Sequence, residues 1–454
     1  MKTKRRDFLK LSGLAGLTLA SDGVLGGLRS DSVGSIAQII PANSKPEYIR
    51  RDHLLNDQIK ADFELARNIL KPTQKQLEHG LELHQNSLVI ESYGFMPRAS
   101  LDGAKMASAI NSGASALEIQ EMNEEMIMTR FTNNSQERTE FENAWKAAGV
   151  TCIFQNAGEE GNEVKRLLKR LAHFTYATDQ MSDFVSRAIR PEDILRAKTE
   201  NRHALYFSGN GVPLPQDWIS VEDELKYINI FFQLGVRMMH LTYNRRNPIG
   251  DGCAEKANGG LSDFGRAVVR EMNRVGVIVD IAHSGWQTSL EAAQVSTKPM
   301  VASHTTVTSL HKHIRSKPDN VIRAIADTGG YIGICCIPRF LGGTGDIAAM
   351  MKHIDYVVKN FGSDHVAIGT DVAYFSSYGS EENKKIPAVR KQRAGWEALW
   401  PEDSYVETRE MERSMAWTNW PLFTVGMVQM GYSDEVIQKI LAGNIMRVAK
   451  AALA

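Results

Sequence analysis

The chain is poor in the features that mark several protein classes. It has only four cysteines in 454 residues, Cys152, Cys253, Cys335 and Cys336. None forms a Cys-x-x-Cys pair, so no structural zinc knot is indicated, and the adjacent Cys335 and Cys336 would bridge only under strain. It has no net charge, with 53 basic and 53 acidic residues. That balance gives no reason to expect nucleic acid or an anionic membrane as partner. It has no internal repeat and no apolar run long enough to span a bilayer stably. The hydrophobic share, 43%, is ordinary for a globular protein.

The N-terminus carries a signal instead. "MKTKRRDFLKLSGLAGLTLA" has the pair Arg5-Arg6, then Phe8-Leu9 and a short, weakly apolar, glycine-containing run. It resembles a twin-arginine export signal over residues 1–30, which predicts a periplasmic or otherwise exported protein that leaves the cytoplasm already folded. Residues 31–84 read as a linker followed by a helical segment.

From about residue 85 short apolar runs alternate with helix-period segments. Eight runs read as strands: 87–92, 150–156, 204–209, 236–242, 277–283, 299–304, 330–337 and 365–371. Most lack strict alternation, as expected of strands covered on both faces. Between them, "LSDFGRAVVREMNRVG" places Leu261, Phe264, Val268, Met272 and Val275 at helical spacing, with Ser262 as cap and Gly276 as stop. "SVEDELKYINIFFQLG" repeats this between Ser220 and Gly235. The alternation predicts a (β/α)8 TIM-type barrel over 85–454, with insertions near 97–149 and 375–415. A doubly wound open sheet is the alternative.

Barrels place chemistry at the C-terminal ends of their strands. Those ends supply Glu91 and Tyr93, Asn210, Tyr243, His283, His304 and Asp371. His283 and His304 close successive strand candidates, so the two imidazoles can meet over one central space and hold zinc, with Asp371 relaying a proton. A lone histidine in such a place is more often a buried structural residue; two in succession reverse that preference. Arg315 follows the sixth strand, where its spacing fits equally a bidentate carboxylate clamp and a surface-loop arginine beside Lys312 and Lys317.

The stretch from about 235 to 371 resembles the membrane dipeptidase (renal dipeptidase) family of zinc peptidases. The matching text is "GVRMMHLTYN", "NGGLSDFGRAVVREMNRVGVIVDIAHSG", "KPMVASHTT", "IADTGGYIGI" and "HIDYVVKNFGSDHVAIGTD", with "LAGNIMRV" near the C-terminus. The resemblance implies a barrel that binds two zinc ions, cleaves small peptide or amide bonds, and commonly dimerises. It places His283 and His304 on the ligands of one ion, Arg315 on the carboxylate clamp and Asp371 on the acid that assists proton transfer. Other family positions are changed. Tyr93 and Phe95 stand where the first strand supplies ligands, Gly209 and Asn210 where a bridging glutamate is usual, Tyr243 where a histidine contacts substrate, and Ala373 where a second aspartate is usual. Phenylalanine cannot bind a metal and tyrosine does so only weakly.

The expected site is therefore remodelled and holds one zinc rather than two. Its third ligand is left open among Glu91, Asp371 and the carboxylates Glu159 and Glu160. Tyr93, Asn210 and Arg315 face substrate, and Tyr243 and Tyr93 act as oxyanion donors. The rival reading is a non-catalytic binding protein that keeps Arg315 and the pocket. A third is lyase or deacylase chemistry in a pocket rebuilt by the 97–149 insertion.

Overall fold

The structure, a computed structural model, describes residues 55–158, 162–388 and 400–454. The export signal and the carboxylates Glu159 and Glu160 lie outside the described residues.

Among the described residues, ten strands form one all-parallel system: β1 Ile90–Gly94, β2 Cys152–Asn156, β3 Val185–Ala188, β4 His203–Gly209, β5 Met238–His240, β6 Ile278–Asp280, β7 Val301–Val307, β8 Ser316–Lys317, β9 Tyr331–Ile334 and β10 Val366–Ile368. Eight follow in the order β1-β2-β4-β5-β6-β7-β9-β10, while β3 and β8 pair only at the sides of β4 and β7. Those eight fall on the eight runs predicted from sequence. Their ends brace one another where the ring closes: the Asp371 N–H donates to Tyr93 O at 3.3 Å. The result is a nearly closed eight-stranded barrel. A parallel ring with helical crossovers buries both strand faces, and this explains the near-continuous apolar runs.

The helices form where their caps predict. In Asp263–Val275 the Ser262 side chain accepts the Gly265 N–H, Val268, Val269 and Met272 are buried, and Gly276 ends the helix at φ 98°. In Val221–Gln233 Ser220 caps the Asp223 N–H. The 97–149 segment holds three helices, Gly103–Asn111, Ala116–Thr129 and Ser135–Ala148.

Two features aim side chains along the barrel axis. Between β7 and β9 the register passes from Ala302↔Ile332 to Thr305↔Ile334, so Ser303 and His304 oppose Gly333 alone. Between β1 and β2 it passes from Glu91↔Ile153 to Gly94↔Gln155, so Ser92 and Tyr93 oppose Phe154. An extra residue in a ladder bends the strand and re-aims a side chain. The first bulge leaves little room: a Cβ on either Gly333 or Gly369 would run into the Ser303 carbonyl, which also accepts the Ser92 hydroxyl at 2.9 Å. Gly369→Ala is therefore expected to cost about 3 kcal/mol by urea denaturation. A loss under about 1 kcal/mol would show that the bulge yields freely.

Candidate metal centre

Several predicted residues converge at the barrel axis. His304 lies within β7 and His283 three residues beyond β6, so neither ends its strand as expected. Their Nε2 atoms nonetheless face each other at 3.0 Å. Two nitrogens on one tetrahedral zinc lie about 3.3 Å apart, from Zn–N bonds of roughly 2.0 Å. Each ring is held from its other side. His283 Nδ1 meets Asn244 Oδ1 at 2.7 Å, and His304 Nδ1 meets the Ser303 hydroxyl at 2.8 Å. Because Asn244 Oδ1 can only accept, His283 carries its proton on Nδ1, and Nε2 presents a lone pair. Burial first, and then the Arg315 guanidinium, hold both imidazoles well below the usual histidine range. Both are neutral at pH 7, the form that binds a metal.

Sequence reasoning missed two members of this cluster. His240 ends β5 and Asp280 ends β6; they pair in register, and their Nε2 and Oδ2 atoms lie 2.7 Å apart. With His304 they place three ligand atoms within 4.8 Å of one another, all buried. Asp280 Oδ1 accepts the Ala282 N–H at 2.9 Å and the Ser303 N–H at 3.1 Å. Despite the short approach, Asp280 Oδ2 and both His240 nitrogens lack a properly aligned hydrogen bond. A buried polar atom left so costs about 1–3 kcal/mol, and a bound cation would take up Asp280 Oδ2 and one nitrogen of His240. Burial raises the Asp280 pKa, but His240 and the Ser303 bonds outweigh it, so the carboxylate lies below its ordinary range and stays ionised. The available signal was an aspartate inside an otherwise apolar run, "VIVDIAH".

The remaining predicted residues sort by geometry. Asp371 Oδ2 stands 3.9 Å from His304 Nε2, and its backbone is left-handed at φ 60°. Tyr243 stacks on His283 with ring centres 4.1 Å apart, and Tyr93 stacks on His304 at 3.9 Å. The Tyr93 hydroxyl donates to Asn210 Oδ1. These two residues thus engage each other instead of both standing free toward a ligand, and Tyr93 is not poised as an oxyanion donor. Burial raises its phenol well above 10, so it does not offer a phenolate to a metal.

Arg315 reaches the imidazole pair, but its terminal nitrogens are engaged. One donates to Ala282 O; the other lies 3.2 Å from His283 Nε2 and donates to His304 O at 3.3 Å. Lys317, also buried, donates to Ser284 O at 2.7 Å, and burial brings its pKa down to about 7.

Glu91 requires a correction. It is fully buried, but its oxygens serve the closing seam rather than the imidazoles. Oε1 accepts from the Thr370 hydroxyl and from the Thr370 N–H at 3.3 Å, and Oε2 accepts from Trp417 Nε1 at 2.8 Å. Burial pushes its pKa up to about 8 despite these donors. An acid whose folded pKa is raised costs stability as pH climbs from its unfolded value, near 4.5, to about 8. Glu91→Gln is expected to be more stable than the wild type at pH 8 by a few kcal/mol, and to lose that advantage by pH 5. Parallel stability–pH curves for the two proteins would contradict this assignment.

The strands thus form a (β/α)8 barrel with imidazoles and carboxylates converging on its axis. Solved structures agree on the fold. An amidohydrolase from Pseudomonas aeruginosa aligns with a TM-score of 0.58 at 24% identity, over 82% of this chain and 99% of that one. The probable dipeptidase PvdM from the same organism aligns with a TM-score of 0.59 at 18% identity, over 84% and 99%. In sequence, dipeptidase tcpJ from Claviceps purpurea (strain 20.1) is 28% identical over 276 residues, 59% of this chain and 56% of that protein. This chain thus spans little more than half of that relative's length. The membrane dipeptidase profile (peptidase family M19) matches residues 77–397. The chain belongs to the membrane dipeptidase family.

Proposed function

We propose that the protein is an exported, dipeptidase-like metallohydrolase that cleaves a small peptide or amide bond at a remodelled, single-ion site. The observation that carries this reading is the convergence of His283 and His304 beside His240 and Asp280, whose facing atoms lack aligned hydrogen bonds. His283 and His304 would hold the ion, with His240 and Asp280 beside His304 to complete the set. Zinc so held supplies Lewis acidity toward a carbonyl and a nucleophile at neutral pH.

The chain's own groups do the rest. Asn244 fixes the tautomer of His283, and Tyr243 fixes its plane. Asp371, at 22% side-chain exposure, lies close enough to His304 to accept a proton from the attacking water and return it to the leaving amine. The buried Arg315 guanidinium beside the imidazole pair already opposes a first ion, and a second ion would add to that repulsion. The Arg5-Arg6 signal supports export of a folded, loaded chain. Among the described residues no helix is long and apolar enough to cross a membrane.

The test is elemental analysis of protein purified without chelator, followed by a hydrolysis screen of dipeptides and N-acyl amino acids with and without zinc. About one ion per chain and zinc-dependent turnover are expected. Metal-free protein that turns over nothing after zinc addition overturns the reading.

A further inference from the structure

Arg98 is a cation with an unused donor fork at the barrel mouth. It lies on the segment that follows β1, tied by its backbone to the segment that follows β10. Its N–H donates to Tyr374 O at 2.8 Å, and its carbonyl accepts the Ser376 N–H at 3.0 Å. Its guanidinium carbon sits 4.6 Å from the centre of the Phe95 ring and 5.3 Å from that of Phe375. Phe95 meets Tyr93 edge-on at 5.9 Å, and Tyr93 stacks on His304. An unbroken line of contacts therefore runs from Arg98 to the imidazole pair.

What sets Arg98 apart is its lack of polar partners. Among the described residues, no hydrogen bond or ion pair reaches its guanidinium, which lies against the two rings. By contrast, Arg237 donates to Ile189 O and Phe232 O, and Arg130 to Ser100 O and its hydroxyl. Rings that clamp the faces of a guanidinium leave its edges open, and those edges match a carboxylate bidentately. Arg315, the position on which the family resemblance placed that task, has its terminal nitrogens on Ala282 O, His304 O and His283. Phe95, which cannot be a metal ligand, here serves as a wall for a fixed positive charge.

We propose that Arg98, clamped between Phe95 and Phe375, binds the carboxylate of the ligand and sets the site's preference for anionic substrates. The role in substrate choice rests on the proposed hydrolase function; the binding itself does not.

The experiment therefore reads binding without turnover. Isothermal titration of the full-length protein at pH 7 compares 4-methylpentanoate with neutral 4-methyl-1-pentanol, neither of which has a bond to hydrolyse. The wild type is expected to bind the acid at least tenfold more tightly. Arg98→Gln is expected to abolish that preference while leaving alcohol binding unchanged, and Arg98→Lys to weaken acid binding at least threefold. A wild type without the preference, or an Arg98→Gln protein that keeps it, overturns the proposal. So does a preference lost in Arg315→Gln and retained in Arg98→Gln. Should Arg98→Gln fail to fold by circular dichroism, wild-type acid binding in Arg98→Lys overturns it. Absence of peptide hydrolysis with this preference intact counts against the hydrolase reading alone.

Discussion

His304→Ala is expected to strip the bound ion and to lower kcat/KM for a dipeptide by on the order of 10³-fold or more. His304 is common to both groupings on the axis, facing His283 at 3.0 Å and completing the cluster with His240 and Asp280. Truncation removes the ligand that joins the His283 side of the cluster to the His240–Asp280 pair. Asn244→Ala supplies the graded comparison. It leaves every ligand in place but frees the tautomer of His283, so a loss of roughly 10–100-fold is expected. The measurements are metal content and kcat/KM on the same samples. A His304→Ala protein that keeps both its ion and its activity would remove the centre from this part of the barrel.

Acidification from pH 6.5 toward 4 is expected to destabilise the protein through its buried histidines. His84 and His353 are buried, and burial holds each down to about 4, against their hydrogen bonds to backbone carbonyls, which favour the charged form. A group whose folded pKa is depressed contributes stability that is complete above its unfolded value, near 6.5, and is lost as pH falls toward 4. Each is worth on the order of 3 kcal/mol by pH 4, at about 1.4 kcal/mol for every tenfold loss of proton affinity on folding. Together they approach the whole stability of an ordinary domain, roughly 5–15 kcal/mol. His283 and His304 add to the loss in the same direction.

His353 shows how this acts on the site. Its Nδ1 accepts the Val307 N–H at 3.1 Å, and its Nε2 donates to Leu341 O at 2.9 Å. Protonation removes that acceptor and disturbs β7 three residues from His304. His353→Gln can accept and donate in the same places without gaining charge. It should flatten the fall in melting temperature between pH 6.5 and 4.5, and an unchanged slope would show that the acid sensitivity lies elsewhere.

The barrel was legible because eight covered strands need apolar runs, and the helices between them announce their caps. β3 and β8 were not legible: with four and two residues, pairing beside the ring, they carry no period that a sequence can display. The imidazole pair was found from spacing. His240 and Asp280 were passed over because each sits within a stretch whose apolar neighbours matched a buried strand. Glu91 was misassigned for the reverse reason. A carboxylate at the end of a strand has the composition of a ligand, and only the distant Thr370 and Trp417 show that it bridges the seam. Arg98 gave no local signal, because its two rings are separated by 280 positions along the chain.

That seam carries a consequence for how the molecule comes into being. Glu91 is made early, yet its indole partner, Trp417, is synthesised more than three hundred residues later. Until the ribosome has released that tryptophan, the first stave holds an acid whose burial is only partly compensated. The seam between the ring's first and last staves gains its final bond only when the C-terminal segment arrives.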